Sequence, residues 1–154
     1  MALVTGAAYG IGFAIARALA DAGARIAFNC RSQEHLDKAL AEYEKLGIKA
    51  RGYLCDVTQE DAVADMVADI RRELGTVDIL VNNAGIIKRI PMTEMKVEEF
   101  REVVDIDLTA PFIMAKAVIP DMIAKGHGKI INICSMMSEL GRETVSAYAA
   151  AKAA

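Results

Sequence analysis

The chain has 154 residues, of which 54% are hydrophobic and 25% charged, and its formal net charge is −3. This composition is typical of a folded α/β domain with an apolar core, and it excludes a disordered chain. An acidic balance argues against a general nucleic-acid binder, and no segment is long and apolar enough to cross a bilayer. We therefore expect neither nucleic acid nor membrane as a partner.

The N-terminal residues and the three cysteines bear on the cellular location of the protein and on metal binding. The first residues, M-A-L-V-T-G, lack the basic region and long apolar run of a secretory signal, so a cytoplasmic location is expected. Cys30, Cys55 and Cys134 form an odd set without the close Cys or His spacing of zinc sites, and each lies in an apolar run. We predict three buried thiols and no metal site.

Short β-rich runs alternate with longer helical patterns along the chain. The predicted strands cover residues 2–5, 25–29, 50–55, 77–82 and 129–134, and the predicted helices cover 12–21, 33–46, 60–74 and about 97–125. This βα alternation predicts a parallel sheet with helices on both faces and right-handed crossovers. Because no linker or repeat interrupts it, we interpret residues 1–154 as one domain.

Glycine and proline mark the ends of the predicted helices. Four helical patterns are followed by a glycine that fits a left-handed cap: Gly23, Gly47, Gly75 and Gly126. Pro111 lies inside the last long pattern, where it cannot donate a backbone hydrogen bond. We therefore predict a break in that helix near Asp107.

The first turn, T-G-A-A-Y-G-I-G, places Gly6, Gly10 and Gly12 between the first strand and the first helix. In this context glycines let the backbone approach a pyrophosphate, which then lies at a helix N-terminus. The spacing departs from the common G-x-G-x-x-G pattern, and turns also collect glycine for steric reasons. Its position after the first of several βα units nevertheless favours a dinucleotide site.

The end of the second strand reads N-C-R-S. An acidic residue here would bind the ribose 2′-hydroxyl of NAD, whereas an arginine accommodates the additional phosphate of NADP. The segment has no Asp or Glu but contains Arg31, so we predict NADP rather than NAD. The alternative for Arg31 is a solvated surface charge.

The stretch S-A-Y-A-A-A-K raises the question of whether Tyr148 and Lys152 are helix filler or a reactive pair. They lie four residues apart in an alanine-rich helix, hence on one face. A free phenol has a pKa of about 10, and a cation one helical turn away stabilises its phenolate. Ser135 closes the fifth strand, at the sheet edge where open α/β folds bind ligands. This agreement favours a reactive pair.

Five motifs in this order resemble the short-chain dehydrogenase/reductase family: T-G-x-x-x-G-I-G, D-V at residues 56–57, N-N-A-G at 82–85, the serine at 135 and Y-x-x-x-K at 148–152. The resemblance covers the whole chain. It implies a Rossmann-type, doubly wound parallel sheet in three α/β/α layers, with strand order 3-2-1-4-5. It also implies cofactor contacts from Gly6, Tyr9, Gly10, Ile11, Gly12, Arg31, Asp56, Val57, Asn83, Ala84, Gly85, Tyr148 and Lys152.

The resemblance further implies an NADP-dependent oxidoreductase. In ketone reduction Tyr148 would protonate the developing alkoxide, Ser135 would hydrogen-bond that oxygen, and Lys152 would tune the tyrosine and bind the nicotinamide ribose. In alcohol oxidation these roles reverse. Asp56 would contact the adenine ring.

The stretch from Cys134 to Lys152, with D-I-D-L-T-A-P-F before it, looks like bacterial gluconate 5-dehydrogenases, which implies D-gluconate and 5-keto-D-gluconate as substrates and a homotetramer. Arg89 could bind the substrate carboxylate, or it is a surface charge. A 3-oxoacyl thioester reductase is the nearest alternative.

The chain departs from the family pattern in two ways. The first is Asp107, which stands where the family has an asparagine that acts as a fourth catalytic member through its main-chain carbonyl. Aspartate offers the same carbonyl, and the Asp107 carboxylate, if buried, would favour a charged Lys152.

The second departure is length. The family's chains are longer, so we expect further strands and a substrate loop to be missing and one sheet edge to be open and apolar. A non-catalytic NADP-binding fragment is the resulting alternative, and an intact mass near 16.6 kDa would support it.

Overall fold

The computed structural model describes residues 1–154 and forms one five-stranded parallel sheet with the order β3-β2-β1-β4-β5. The strands are β1 Ala2–Thr5, β2 Ile26–Cys30, β3 Ala50–Leu54, β4 Ile79–Asn82 and β5 Lys129–Asn132. The helices are α1 Gly10–Asp21, α2 Gln33–Lys45, α3 Glu60–Leu74, α4 Val97–Val104, α5 Ala110–Lys125, α6 Met137–Leu140 and α7 Ser146–Ala153. The predicted Rossmann-type architecture and strand order are confirmed. None of these helices combines the length and apolarity that a bilayer crossing needs.

Two apolar layers cover the two faces of the sheet, as the near-continuous hydrophobic strands predict. Leu3 and Leu80 pack in one cluster with buried residues of α3 and α5. Val4 and Val81, the next residues along the same strands, pack with buried residues of α1 and α2 on the other face. This alternation gives the three-layer α/β/α arrangement, and it leaves the ends of the strands free to form a site.

The boundaries of the five strands and of α1, α2 and α3 agree with the predicted ones within two residues, whereas α6 was not predicted. Gly126 adopts the left-handed conformation that was predicted for it, with φ 72° and ψ 9°. Gly23 and Gly47 also have positive φ and donate to carbonyls of the preceding helical turn. The prediction is wrong for Gly75, because its ψ of 176° takes the chain into an extended conformation towards β4 instead of a left-handed cap.

The predicted break near Asp107 is confirmed, and it consists of a change in helical winding. One π-helical turn, Asp105–Thr109, separates α4 from α5. Pro111 lies in the first turn of α5, and its missing N–H cannot continue the α-helical hydrogen-bond pattern. Such π turns inside α-helices frequently occur at functional sites. Here the turn carries the buried Asp107.

The edge strand β5 accounts for one wrong prediction. Cys30 and Cys55 are buried as predicted, and burial raises the pKa of the Cys55 thiol to about 11. Cys134 is exposed instead, because it follows β5, which pairs only with β4 and whose four residues are all exposed. Ile131 is 46% exposed. The predicted open, apolar edge is therefore present in the sheet.

Candidate active site

A cleft of about 620 Å³ opens at the carboxyl ends of the strands. Open α/β sheets bind ligands in this place, outside the point where the strand order reverses. Eleven of the residues predicted to contact the cofactor line this one cleft: Gly6, Tyr9, Gly10, Ile11, Gly12, Arg31, Asp56, Val57, Asn83, Ala84 and Gly85. Tyr148 and Lys152, the other two, are not among its lining residues.

The glycine loop leaves no room for side chains at two of its three glycines. Gly6 and Gly10 both have a φ of 64°, which side chains disfavour. A Cβ atom on Gly12 would lie 2.4 Å from the Asn83 amide nitrogen and 2.8 Å from the Gly6 carbonyl oxygen, and one on Gly6 would lie 3.0 Å from Ala84 Cα. The G-x-x-x-G-x-G spacing thus places α1 close against the loop after β4.

Thr5, which sequence reasoning did not assign to the site, joins the first loop to the fourth. Its side chain is buried at the end of β1 and accepts hydrogen bonds from the backbone N–H groups of Asn83 at 3.0 Å and Ala84 at 2.9 Å. The Asn83 amide donates in return to the Thr5 carbonyl at 2.9 Å. The signal in the sequence is a polar residue that ends an apolar strand.

Two further polar side chains order the neighbouring loops. Asn29 is buried at the end of β2, where it accepts from the Gly6 N–H at 3.3 Å and donates to the Cys55 carbonyl at 2.9 Å. Asp56 accepts from the Thr58 N–H at 3.0 Å and from the Thr58 hydroxyl at 2.8 Å, both through Oδ1. Asn29 therefore links the loop after β1 to the segment after β3, and Asp56 orders the latter segment locally.

The outer end of the cleft has a basic and aromatic rim. Arg31 and Ser32 line it directly after β2, and the Ser32 hydroxyl caps α2 by accepting from the His35 N–H at 3.4 Å. His35 also lines the cleft, and its ring meets that of Tyr9 edge to face with centroids 5.3 Å apart. Sequence reasoning assigned no role to His35, because only the fold brings α2 next to the glycine loop.

The proposed catalytic residues Ser135, Tyr148 and Lys152 lie beside this cleft, Ser135 in the segment that follows β5 and the other two on α7. Tyr148 and Lys152 are on one face of α7, with the Lys152 Nζ 5.8 Å from the centroid of the Tyr148 ring. The same Nζ donates to the Ile133 carbonyl at 3.0 Å, two residues before Ser135. Ser135 Oγ accepts from the Met137 N–H at 3.1 Å, which leaves its own O–H available as a donor.

Asp107 connects the π turn to both halves of the site. Its Oδ1 accepts from the Ile86 N–H at 2.7 Å, and its Oδ2 lies 3.4 Å from Lys152 Nζ without hydrogen-bond geometry. Its side chain is fully buried, and Gly85 leaves the space that it occupies. Burial raises the pKa of the Asp107 carboxyl, while the Ile86 hydrogen bond and the charge of Lys152 act in the opposite direction.

Arg89 is exposed in the segment after β4, and it does not line the cleft. Its neighbour Ile90 donates a backbone hydrogen bond to the Thr144 carbonyl at 2.9 Å, in the loop that leads into α7. Thr144 has a φ of 68°, a left-handed conformation that threonine disfavours. Arg89 thus directly precedes a residue that is hydrogen-bonded to the loop before α7, and its contact with a substrate stays a prediction.

Comparison with known proteins agrees with this geometry. The chain is 58% identical over 153 residues to 2-dehydro-3-deoxy-D-gluconate 5-dehydrogenase from Formosa agariphila, with 99% of this chain and 58% of that protein aligned. The crystal structure of 2-keto-3-deoxy-D-gluconate dehydrogenase from Streptococcus agalactiae is 68% identical with a TM-score of 0.83, covering 98% of this chain and 57% of that one. The structure of a gluconate 5-dehydrogenase from Burkholderia cenocepacia J2315 in complex with NADP and tartrate is 41% identical with a TM-score of 0.91, covering 99% and 60%.

The chain therefore spans less than two thirds of the length of these relatives. Residues 1–154 match the family described as short chain dehydrogenase. Together with the glycine loop, the cleft and the Tyr148–Lys152 helix, this match shows that the chain belongs to the short-chain dehydrogenase family.

Proposed function

We propose that the protein is an NADP-dependent oxidoreductase that interconverts an alcohol and a ketone of a sugar acid. The observation that carries this proposal is the position of the Lys152 ammonium. It lies beside Tyr148, donates a hydrogen bond to a carbonyl two residues before Ser135 and faces the buried Asp107. A binding module has no need for this combination next to a dinucleotide cleft.

The chain's residues fit NADP. The backbone of the glycine loop lines the cleft at the start of α1, where a pyrophosphate would lie, and a side chain at Gly12 would collide with the Gly6 carbonyl and displace this loop. Arg31, at the rim, suits the 2′-phosphate that distinguishes NADP from NAD. The Burkholderia cenocepacia relative was crystallised with NADP. When bound, NADPH supplies the hydride for the carbonyl carbon.

Each catalytic side chain has a distinct task in the proposed reduction. Tyr148 gives its phenolic proton to the developing alkoxide, and the Ser135 O–H donates a hydrogen bond to the same oxygen. Lys152 holds a positive charge beside the phenol and thereby stabilises the phenolate that remains. Asp107 supplies the fourth position through its main-chain carbonyl, and its carboxylate holds Ile86 and faces Lys152.

Two sugar acids are candidates for the substrate. D-gluconate and 5-keto-D-gluconate follow from the motifs between Cys134 and Lys152. The names of the relatives at 58% and 68% identity favour 2-dehydro-3-deoxy-D-gluconate as the second candidate. Both have a carboxylate, which Arg89 would bind with its fork of donors. A 3-oxoacyl thioester has no such group and remains the alternative from another substrate class.

The test is a spectrophotometric assay that follows NADPH consumption with a ketone substrate and NADPH formation with an alcohol substrate, on purified protein whose length an intact-mass measurement has defined. We expect turnover with 5-keto-D-gluconate, or NADP reduction with 2-dehydro-3-deoxy-D-gluconate, and far lower rates with acetoacetyl thioesters. Preference for the thioester would overturn the sugar-acid assignment. No turnover together with tight NADPH binding would support a non-catalytic NADP-binding fragment.

We also propose that the protein acts in the cytoplasm as a homotetramer, as the resemblance to gluconate 5-dehydrogenases implies. Light scattering on the purified protein measures the number of subunits, and a monomer at micromolar concentration would contradict the proposal.

A further inference from the structure

Ser138 lies in α6, between Ser135 and the helix that carries Tyr148 and Lys152, and its hydroxyl contacts both sides. The hydroxyl donates to the Lys152 carbonyl oxygen at 2.6 Å. It also accepts from the Ser135 backbone N–H at 3.4 Å. In addition, the Ser138 N–H donates to the Ser135 carbonyl at 3.0 Å. One short side chain thus joins the backbones of two residues assigned to the reaction.

The hydroxyl of Ser138 can make both bonds at once, because a serine offers one donor and two acceptor lone pairs. Alanine at this position would lose both bonds and leave the Ser135 N–H and the Lys152 carbonyl without this partner. The orientation of the Ser135 side chain also depends on α6, since Ser135 Oγ accepts from the Met137 N–H at 3.1 Å. Ser138 therefore connects α6, the short helix that orients Ser135, to α7.

Only two hydrogen bonds join residues 133–140 to α7. One is the bond from the Lys152 ammonium to the Ile133 carbonyl, and the other is the bond from Ser138. The proposed function uses the ammonium of Lys152 for the phenolate and the cofactor ribose, so its bond to Ile133 is shared with the reaction. The Ser138 bond is not shared in this way, because it uses the backbone carbonyl of Lys152.

We propose that Ser138 is a positioning residue, which sets the distance between the Ser135 hydroxyl and the Tyr148–Lys152 pair without contacting the substrate. The expected effect on kcat rests on the proposed function, whereas the connection that Ser138 makes between α6 and α7 does not. Misplacement of a reacting group by 1 Å can cost about 100-fold in rate. Loss of one of two connecting bonds is expected to cost less than that.

The kinetic experiment compares Ser138→Ala with Ser138→Thr, which keeps a hydroxyl, and with Ser146→Ala as a matched control. Ser146 is the first residue of α7, and its hydroxyl contacts only the Met95 sulfur at 3.9 Å. We expect Ser138→Ala to lower kcat about tenfold while KM and the Kd for NADPH change less than about twofold. Ser138→Thr should recover most of the rate, and Ser146→Ala should behave as the wild type. All rates are measured well below each variant's Tm.

A wild-type kcat in Ser138→Ala would overturn the inference, as would a loss of rate that Ser138→Thr does not restore. Hydrogen–deuterium exchange tests the same inference without any turnover. In Ser138→Ala the amides of residues 135–140 and 147–153 should exchange about fivefold faster, with α1 and α2 unchanged. Unchanged exchange in both segments would overturn the inference. If the wild type reduces none of the substrates, the proposed function fails, and the exchange result still decides the role of Ser138.

Discussion

The two halves of the candidate site are built differently. The cofactor half lies at the ends of the central strands, where the buried Thr5 and Asn29 connect three loops through hydrogen bonds. The catalytic half lies on α7 and in the segment that follows the edge strand β5. The residues of β5 are exposed, and two hydrogen bonds connect the segment after β5 to the helix. One half is held by polar side chains at the ends of buried strands, and the other by an exposed edge strand and a helix that lies outside the two core clusters of the sheet.

This difference predicts that the halves respond differently to substitution. Changes at Ser135 and Tyr148 should alter turnover while NADPH binding and stability persist, because neither side chain belongs to the two core clusters. Lys152 is the exception for binding, since it would also bind the nicotinamide ribose. Changes in the cofactor half should alter binding and stability together, because the same residues hold the loops and the central strands. The substitutions below test this contrast, with the largest expected effect first.

Tyr148→Phe should abolish turnover while NADPH binding is preserved. The change removes only the phenolic oxygen, and loss of a general acid costs about 100- to 10,000-fold in rate. The measurement is kcat together with the Kd for NADPH by fluorescence titration. Tyr53→Phe is the matched control, because the Tyr53 hydroxyl donates a hydrogen bond to Asp69 on α3 and takes no part in the proposed reaction. Retained turnover in Tyr148→Phe would contradict the mechanism.

Arg31→Asp should weaken NADPH binding about 50-fold and NADH binding only slightly. It removes a charge-assisted hydrogen bond to the 2′-phosphate and places a like charge near it, and each such bond contributes about 2 kcal/mol. Both Kd values are compared by titration. Lys49→Asp is the control. It makes the same change of charge at an exposed residue directly before β3, at the sheet edge opposite to the cleft, and should leave both Kd values unchanged. Equal losses for the two cofactors would reject the assignment of NADP.

Gly12→Ala should weaken NADPH binding about tenfold and lower the Tm as well. The new methyl group would collide with the Asn83 amide and the Gly6 carbonyl, so the loop after β4 must shift. Gly23→Ala is the control, because that glycine has a positive φ but open space around it. It should destabilise by about 1 kcal/mol without any effect on binding. An unchanged Kd for Gly12→Ala would show that the loop tolerates the shift.

Arg89→Ala should raise KM for the sugar acid about tenfold and leave the Kd for NADPH unchanged. A bidentate arginine–carboxylate contact is worth about 1.5 kcal/mol, and Arg89 lies outside the cofactor cleft. Lys88→Ala serves as the control, because the Lys88 ammonium is already paired with Glu102. An unchanged KM in Arg89→Ala would remove this residue from the site.

The features of the fold that could be predicted from the sequence are those that depend on a local pattern of residues. Strand and helix positions follow from hydrophobic periodicity, and the break at the π turn follows from Pro111, because both signals act within a few residues. The roles of Thr5 and Asn29 could not be predicted in this way, since their partners lie on other strands. The exposure of Cys134 and the extended conformation at Gly75 depend on what packs beside each segment, which local sequence does not specify. The hydrogen bond from Ser138 to Lys152 likewise could not be predicted, because it depends on the packing of α6 against α7.

Asp107→Asn should cause the smallest change in activity, because asparagine keeps both the main-chain carbonyl and an oxygen that can accept from the Ile86 N–H. We expect kcat to stay within about threefold of the wild type. A collapse of activity would show that the carboxylate itself takes part in the reaction. The exposed Asp105 provides the matched control, Asp105→Asn, in the same π turn.

The effect of Asp107→Asn on stability should depend on pH. Burial raises the Asp107 pKa, so the folded protein keeps this proton to higher pH than the unfolded chain, in which the pKa is about 3.9. The unfolding free energy of the wild type therefore loses a contribution as pH rises from about 4 through the folded pKa, and the asparagine variant lacks this loss. The Tm of Asp107→Asn minus that of the wild type should increase between pH 4 and pH 8, whatever its value at pH 4. A difference that decreases over this range would mean that the attraction of Lys152 and the Ile86 hydrogen bond outweigh burial, and that the ion pair is a net source of stability for the catalytic half.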